Sequence, residues 1–195
     1  MRRKRLVHQA LKGDDLPGAP TRFLLKVRHY EVDEYGHVNH ANYVHYLETA
    51  RVEALEAVGL PLREMRRQGY LIVAAGLCLK YHSPAHSGET LDIVTHLQEI
   101  RGARSVWIQE IREASRQRLV VTAEVTAALT TEGGRPARAP EAIREKLSAL
   151  YVPGGNTRER VDAGLPGSTT GSALEPDRTG AEVVDQSHER RSRAT

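Results

Sequence analysis

Between Tyr30 and Tyr43 the chain reads Tyr-Glu-Val-Asp-Glu-Tyr-Gly-His-Val-Asn-His-Ala-Asn-Tyr, the stretch richest in groups able to do chemistry. A carboxylate (Asp33), a glycine turn (Gly36) and the start of a helix are the parts of an electrophile-activating site. A helix start offers backbone N–H groups without intrahelical acceptors, and its dipole favours developing negative charge. An ordinary Asp, with a pKa near 3.9, is a poor base at neutral pH. Asp33 would therefore act as a nucleophile through an acyl-enzyme anhydride, or activate water from surroundings that raise its pKa. Spacing alone also fits a structural duty, with Asp33 as an Asx-turn residue and Asn39 or Asn42 as the helix N-cap.

Nine histidines invite a metal reading, since His29, His37, His40 and His45 lie close together. His37-x-x-His40 and His82-x-x-x-His86 have ligand-like spacing, but neither comes with a Cys pair or the Glu of an HExxH helix. No resident metal and no organic cofactor is expected. The single cysteine, Cys78, cannot close an intramolecular disulfide. Within Gly76-Leu77-Cys78-Leu79 it is expected to be a small buried hydrophobe.

The elements that must position these residues follow from periodicity. Phe23, Leu25 and Val27 share one face of a strand. From Tyr43 the period changes, and Tyr43, Leu47, Ala50, Ala54 and Val58 form a helical stripe that predicts a helix over about 41–58. Gly59 and Pro61 stop it. Four strands are predicted at about 71–82, 90–100, 105–113 and 119–131, and Pro140 to Leu150 as one closing helix. Ser83-Pro84 with Ser87-Gly88, then Arg101-Gly102-Ala103, then Ala114 to Arg118 separate the strands, and spacers this short favour antiparallel hairpins. The order is α+β, with one long helix covering one face of an antiparallel sheet.

A chain of 195 residues suggests one core with extensions. Residues 1–20 read as a flexible N-terminal extension, 21–151 as the domain, and 152–195 as a disordered tail with too few apolar residues to offset its ordering entropy. The pI of about 9.1 does not imply nucleic acid. Residues 1–20 hold 5 Lys+Arg against 2 Asp+Glu and the tail 6 against 7, which leaves the domain nearly neutral. No apolar run approaches the roughly 20 residues needed to cross a bilayer, so no membrane partner is expected. The basic start lacks an apolar h-region, which makes the expected location cytoplasmic.

Asp33-x-x-Gly36-His37-Val38-Asn39-His40-Ala41-x-Tyr43, followed by Tyr46-Leu47-Glu48-x-Ala50-Arg51, resembles the signature of the 4-hydroxybenzoyl-CoA thioesterase family of hotdog-fold acyl-CoA thioesterases. The resemblance implies a long central helix wrapped by a curved antiparallel sheet of about five strands. It also implies a homodimer or homotetramer built by edge pairing, with the active site at the subunit interface. Asp33 would be the catalytic carboxylate, and the backbone N–H of His40 would polarise the thioester carbonyl. Gly36 and Tyr43 would join the substrate site. Arg101 and Arg104 stand where the family has basic nucleotide contacts, although Gly102-Ala103 separates them where adjacent basic residues are expected. The implied activity is hydrolysis of an acyl-CoA to free acid and CoA; an acyl-carrier-protein thioester as substrate, or a non-catalytic acyl binder, are the alternatives. Glu48 is expected to pair with Arg51 or with an opposing strand rather than to catalyse.

Overall fold

The computed structural model describes residues 10–11 and 18–152. In chain order its elements are β1 (Ala10–Leu11), β2 (Thr21–Lys26), α1 (His40–Ala57), α2 (Leu62–Arg67), β3 (Tyr70–Tyr81), β4 (Thr90–Arg101), β5 (Arg104–Glu113), β6 (Arg118–Thr131) and α3 (Glu141–Ser148). Together the strands make one sheet in the order β1-β2-β4-β5-β6-β3, with every neighbouring pair antiparallel. β1 lies inside the stretch expected to be an extension and pairs with Phe23 and Arg22 of β2. The tail, apart from Val152, lies outside the described residues.

Period-two patterning decides which face of the sheet is covered. In β6, Val121, Ala123, Val125, Ala127 and Leu129 are buried while Thr122, Glu124, Thr126 and Ala128 are only half-buried. Against the covered face lies α1, which buries Tyr43, Tyr46, Leu47, Ala50, Ala54 and Leu55. Around its first half gather Phe23, Leu25, Ile93, Ile111 and Val121. Around its last turns gather Leu97, Trp107 and Val125, closed by Ile143 and Leu147 of α3. The helix ends in a Schellman arrangement, with Leu60 N–H donating to Leu55 O at 2.8 Å and Gly59 N–H to Glu56 O at 3.0 Å. Gly59 adopts φ +74°, a conformation that strains any residue with a Cβ. The six-residue α2 that follows was not predicted, because so short a helix carries no periodic signature.

β3 is an edge strand. It pairs with β6 alone, and its outer side carries no strand among the described residues. A bulge at Ala75 breaks the register. Val73, Leu77 and Tyr81 are 41%, 46% and 51% exposed, a large apolar outlay for one strand. Cys78 lies here and is exposed, which corrects the expectation of a buried thiol. Its surroundings are apolar in sequence, but nothing among the described residues covers the edge.

The two ends of the sheet carry different elements. At one end the start of β4 pairs with Lys26, and the last residue of β3 touches the first residue of α1. The far end carries the β4–β5 turn, the end of β6, the start of β3 and α2.

Candidate active site

The segment from β2 to α1 is shaped by a brace that the sequence did not announce. Glu31, in a single 3-10 turn (His29–Glu31), is buried. Its carboxylate accepts the Arg28 backbone N–H at 2.7 Å and the Arg28 Nη1 at 2.9 Å. Its carbonyl accepts Asn39 N–H at 2.9 Å and Asn42 Nδ2 at 2.8 Å. One residue thus fixes both ends of the loop that holds Asp33. Arg28 and Glu31 stand at an ordinary i,i+3 spacing, so no sequence signal marked them.

Inside the brace, Val32 and Val38 form an antiparallel bridge, and Asp33 N–H donates to His37 O at 2.8 Å. Gly36 N–H closes the turn on Asp33 O at 3.0 Å with φ +75°. A Cβ at Gly36 would meet nothing within 4 Å, so the requirement for glycine is conformational rather than steric. Asp33 is half-buried, and its Oδ1 accepts the Tyr35 and His37 N–H groups at 2.9 and 3.3 Å. This is the Asx-turn duty. Oδ2 receives no hydrogen bond among the described residues, so half the carboxylate stays available for chemistry.

Asn39 caps α1, its Oδ1 accepting Ala41 N–H at 3.0 Å and its carbonyl accepting Asn42 N–H at 2.9 Å. The His40 N–H between them has no acceptor among the described residues, and His40 is exposed. Behind it, Tyr43 is buried and its hydroxyl accepts Ala85 N–H at 3.0 Å. Burial pushes its phenol pKa up against the pull of that N–H. The Tyr43 ring stands edge-on to Tyr46 and Tyr81, at centroid distances of 6.1 and 5.6 Å.

The β3–β4 loop supports this junction from below. Val38 N–H donates to Ala85 O at 2.8 Å, and His37 bridges to His86 with ring centroids 5.2 Å apart. Arg118 pins the loop by reaching both oxygens of Glu89, at 3.1 and 3.0 Å, together with Ser83 Oγ and Pro84 O. Among the described residues no three His, Cys, Asp or Glu side chains converge as metal ligands.

Asp33, Gly36, His40 and Tyr43 therefore meet at one junction. Arg101 and Arg104 do not join them within one chain: they sit in the β4–β5 turn, and the twelve residues of β4 put them roughly 35 Å from the junction. Glu48 is exposed and makes no ion pair among the described residues. The expected pairing with Arg51 is corrected, because Arg51 turns to the sheet and donates to Gln109 Oε1 at 2.6 Å. Burial lowers the guanidinium pKa there, with the Glu48 charge opposing. The buried Gln109 amide donates in turn to Leu47 O and Thr95 Oγ1, both at 2.9 Å.

A free carboxylate oxygen and a free helix-start N–H on one junction suit an acyl carbonyl. A carboxylate oxygen of this kind has the chemistry to attack the carbon or to activate a water, and an N–H of this kind to receive charge that develops on a carbonyl oxygen. One such donor contributes roughly 3 kcal/mol of transition-state stabilisation.

Fold and site together define an α+β protein of hotdog-like fold with a carboxylate in the loop before its helix start. The chain belongs to the Thioesterase-like superfamily, which it matches over residues 27–147. It is similar to the chloroplastic acyl-acyl carrier protein thioesterase ATL3 of Arabidopsis thaliana, 33% identical over 123 residues, 63% of this chain and 65% of that one. The match thus spans less than two-thirds of that relative's length. It is also similar to the long-chain acyl-CoA thioesterase FadM of Escherichia coli, 31% identical over 65% of this chain and 96% of that one. A hypothetical protein from Thermus thermophilus superposes with a TM-score of 0.62 at 32% identity, over 66% of this chain and 98% of that one. No helix among the described residues is long and apolar enough to cross a membrane.

Proposed function

We propose that the protein is a cytoplasmic thioesterase that hydrolyses an acyl thioester, in the first instance acyl-CoA, to a free acid and a thiol. The observation that carries this reading is that Asp33 Oδ2 and the His40 N–H, on either side of one loop-helix junction, are both without a hydrogen-bond partner among the described residues. Along the nucleophilic route Oδ2 attacks the carbonyl carbon, the thiolate leaves, and water then cleaves the aspartyl anhydride. Along the general-base route Oδ2 takes a proton from the water that attacks. Either route places the carbonyl oxygen on the His40 N–H, and no metal or organic cofactor enters. The Asp33-to-Tyr43 motif supports kinship with the 4-hydroxybenzoyl-CoA thioesterase family. An acyl-carrier-protein thioester is the second substrate reading, favoured by the likeness to the plant enzyme.

A second copy of the chain completes the site in this reading. The outer side of β3, which carries no strand among the described residues, supplies a twelve-residue edge with exposed Val73, Leu77 and Tyr81. Antiparallel pairing of two such edges about a two-fold axis sets the far end of each chain beside the other's α1 start. Arg101 and Arg104 of one copy would then serve the thiol-side phosphates of the other.

The test is thiol release from short, long and aromatic acyl-CoAs and from acyl carrier protein, followed with a thiol-reactive chromophore. Asp33→Asn retains an Oδ1 acceptor for the Tyr35 and His37 N–H groups and removes the charge, so it is expected to fold and to lose nearly all turnover. Glu48→Gln is expected to keep it. Turnover lost in Glu48→Gln and kept in Asp33→Asn would move the catalytic role to the helix. A folded wild type silent on every substrate would reject hydrolysis in favour of acyl binding.

A further inference from the structure

We infer that the far end of the sheet is a docking surface for an acidic carrier protein that delivers the acyl thioester, a partner assignment that rests on the hydrolase reading above. Net charge over the domain is nearly zero, yet the fold sorts it. Arg63, Arg66 and Arg67 of α2, Arg101 and Arg104 of the β4–β5 turn, and Arg135 and Arg138 after β6 are all exposed at this end. Backbone contacts join the three segments: Leu129 N–H donates to Ala103 O, Ala137 N–H to Leu129 O and Thr131 N–H to Arg135 O, while Arg66 reaches Glu132 at 3.7 Å. Only Arg66 and Arg67 are committed to acidic partners, Glu132 and Glu64. Arg63, Arg101, Arg104, Arg135 and Arg138 form no ion pair among the described residues. Beyond Glu64 and Glu132, Glu99 at the end of β4 and Glu141 at the start of α3 are carboxylates close by in sequence, and Glu141 is paired with Arg144.

Two features give this surface a reach beyond the phosphates of a nucleotide. The arginines spread from β4 to β3, three interstrand spacings or roughly 14 Å, and so exceed what one compact set of phosphates engages. Beside Arg63 and Arg66 lies a groove of about 320 Å³ with Leu62, Met65, Leu71 and Ile72 in its lining. An apolar groove rimmed by unpaired guanidinium groups suits the apolar stripe of an acidic amphipathic helix, and Arg pairs bidentately with carboxylates and a phosphodiester alike. Edge pairing through β3 would set this surface beside the partner's α1 start, where a pantetheine arm must enter.

The experiment titrates wild type and the triple variant Arg63→Glu/Arg135→Glu/Arg138→Glu into a fluorescent acyl carrier protein whose octanoyl group is held by a non-cleavable amide. Binding is followed by anisotropy at low and at physiological salt. In parallel, turnover of octanoyl-pantetheine, which lacks any phosphate or protein, reads the catalytic junction alone. Expected are a Kd raised about tenfold or more and a weaker salt dependence in the variant, with pantetheine turnover unchanged. Carrier binding that is absent, or indifferent to the three substitutions, would overturn the inference even if pantetheine turnover is normal. An RNA duplex that binds wild type more tightly than the carrier would also overturn it, marking a nucleic-acid surface. If charge-dependent carrier binding occurs and no thioester is cleaved, docking stands and the hydrolase reading fails.

Discussion

The Tyr81 hydroxyl donates to the His40 carbonyl at 3.1 Å, tying the last residue of the edge strand to the first residue of α1. The same ring packs on Tyr43, so β3 holds the helix start both by a hydrogen bond and by an aromatic contact. Tyr81→Phe keeps the ring and deletes the donor. Expected is a stability loss of about 0.5–1 kcal/mol and a kcat lowered by a similar free energy, about threefold, as the His40 N–H loses its fixed direction. Steady-state kinetics check this, because a change confined to KM would make Tyr81 an acyl contact rather than a positioning residue.

Among the described residues Gln109 is the one hydrogen-bond acceptor for the Arg51 guanidinium, and it satisfies two further groups. Gln109→Leu would leave Arg51 Nη1, Leu47 O and Thr95 Oγ1 without that partner in a buried layer. Expected is a loss of about 2–3 kcal/mol in urea unfolding, largely the desolvation of an unpaired charge. Adding Arg51→Met should recover most of it, since the cost lies in breaking the pair rather than lacking it. A double variant no more stable than Gln109→Leu alone would contradict this account.

How far these features are legible in the chain depends on whether neighbours in sequence or neighbours in space decide them. Tyr43, Leu47, Ala50 and Ala54 recur at helical spacing and each is buried, so α1 lies within a residue of its predicted span. β6 is equally local, its alternation running from turn to turn. Cys78 is the opposite case: its apolar neighbours suggest burial, but edge position is set by which strand ends up beside β3. Glu48 and Arg51 fail likewise, because a buried Gln109 58 residues later redirects the arginine. At Asp33 the structural reading holds and leaves room for the proposed chemical one, since the turn occupies Oδ1 and Oδ2 has no hydrogen bond among the described residues. The far-end arginines come from three segments whose proximity only the sheet order creates.

In the proposed dimer, Arg101 and Arg104 of one copy would serve an acyl-CoA bound at Asp33 of the other. Arg101→Ala and Arg104→Ala are accordingly expected to raise KM for acyl-CoA several-fold with little change in kcat, about 1 kcal/mol each for an exposed charge on phosphate. KM for octanoyl-pantetheine should not move. The discriminating measurement mixes Asp33→Asn chains with chains bearing both arginine substitutions. Shared sites predict that half of the sites in a mixed dimer carry both lesions while the other half are intact, so mixing restores low-KM turnover absent from either parent. No recovery after demonstrated subunit exchange would reject the transfer of these arginines to the site.

Tyr46 is 3% exposed, and its hydroxyl finds no hydrogen-bond partner among the described residues. Burial, and then the neighbouring Glu31 carboxylate, raise the phenol pKa far above its ordinary value. An acid whose folded pKa is raised contributes stability that is fully present below its unfolded pKa, near 10, and is lost as pH climbs toward the folded value. Wild type should therefore lose stability steadily above about pH 10, and Tyr46→Phe should lose less over the same interval. Near neutrality the substitution removes an unsatisfied buried hydroxyl while keeping the ring that packs on Tyr43, so the variant should be as stable as wild type or up to about 1 kcal/mol more stable. Urea unfolding of both proteins at about pH 7 and about pH 10.5 measures the difference, in which the other tyrosines cancel. A Tyr46→Phe variant weakened at neutral pH would mean that the hydroxyl donates to Glu31 and helps to hold the brace around Asp33.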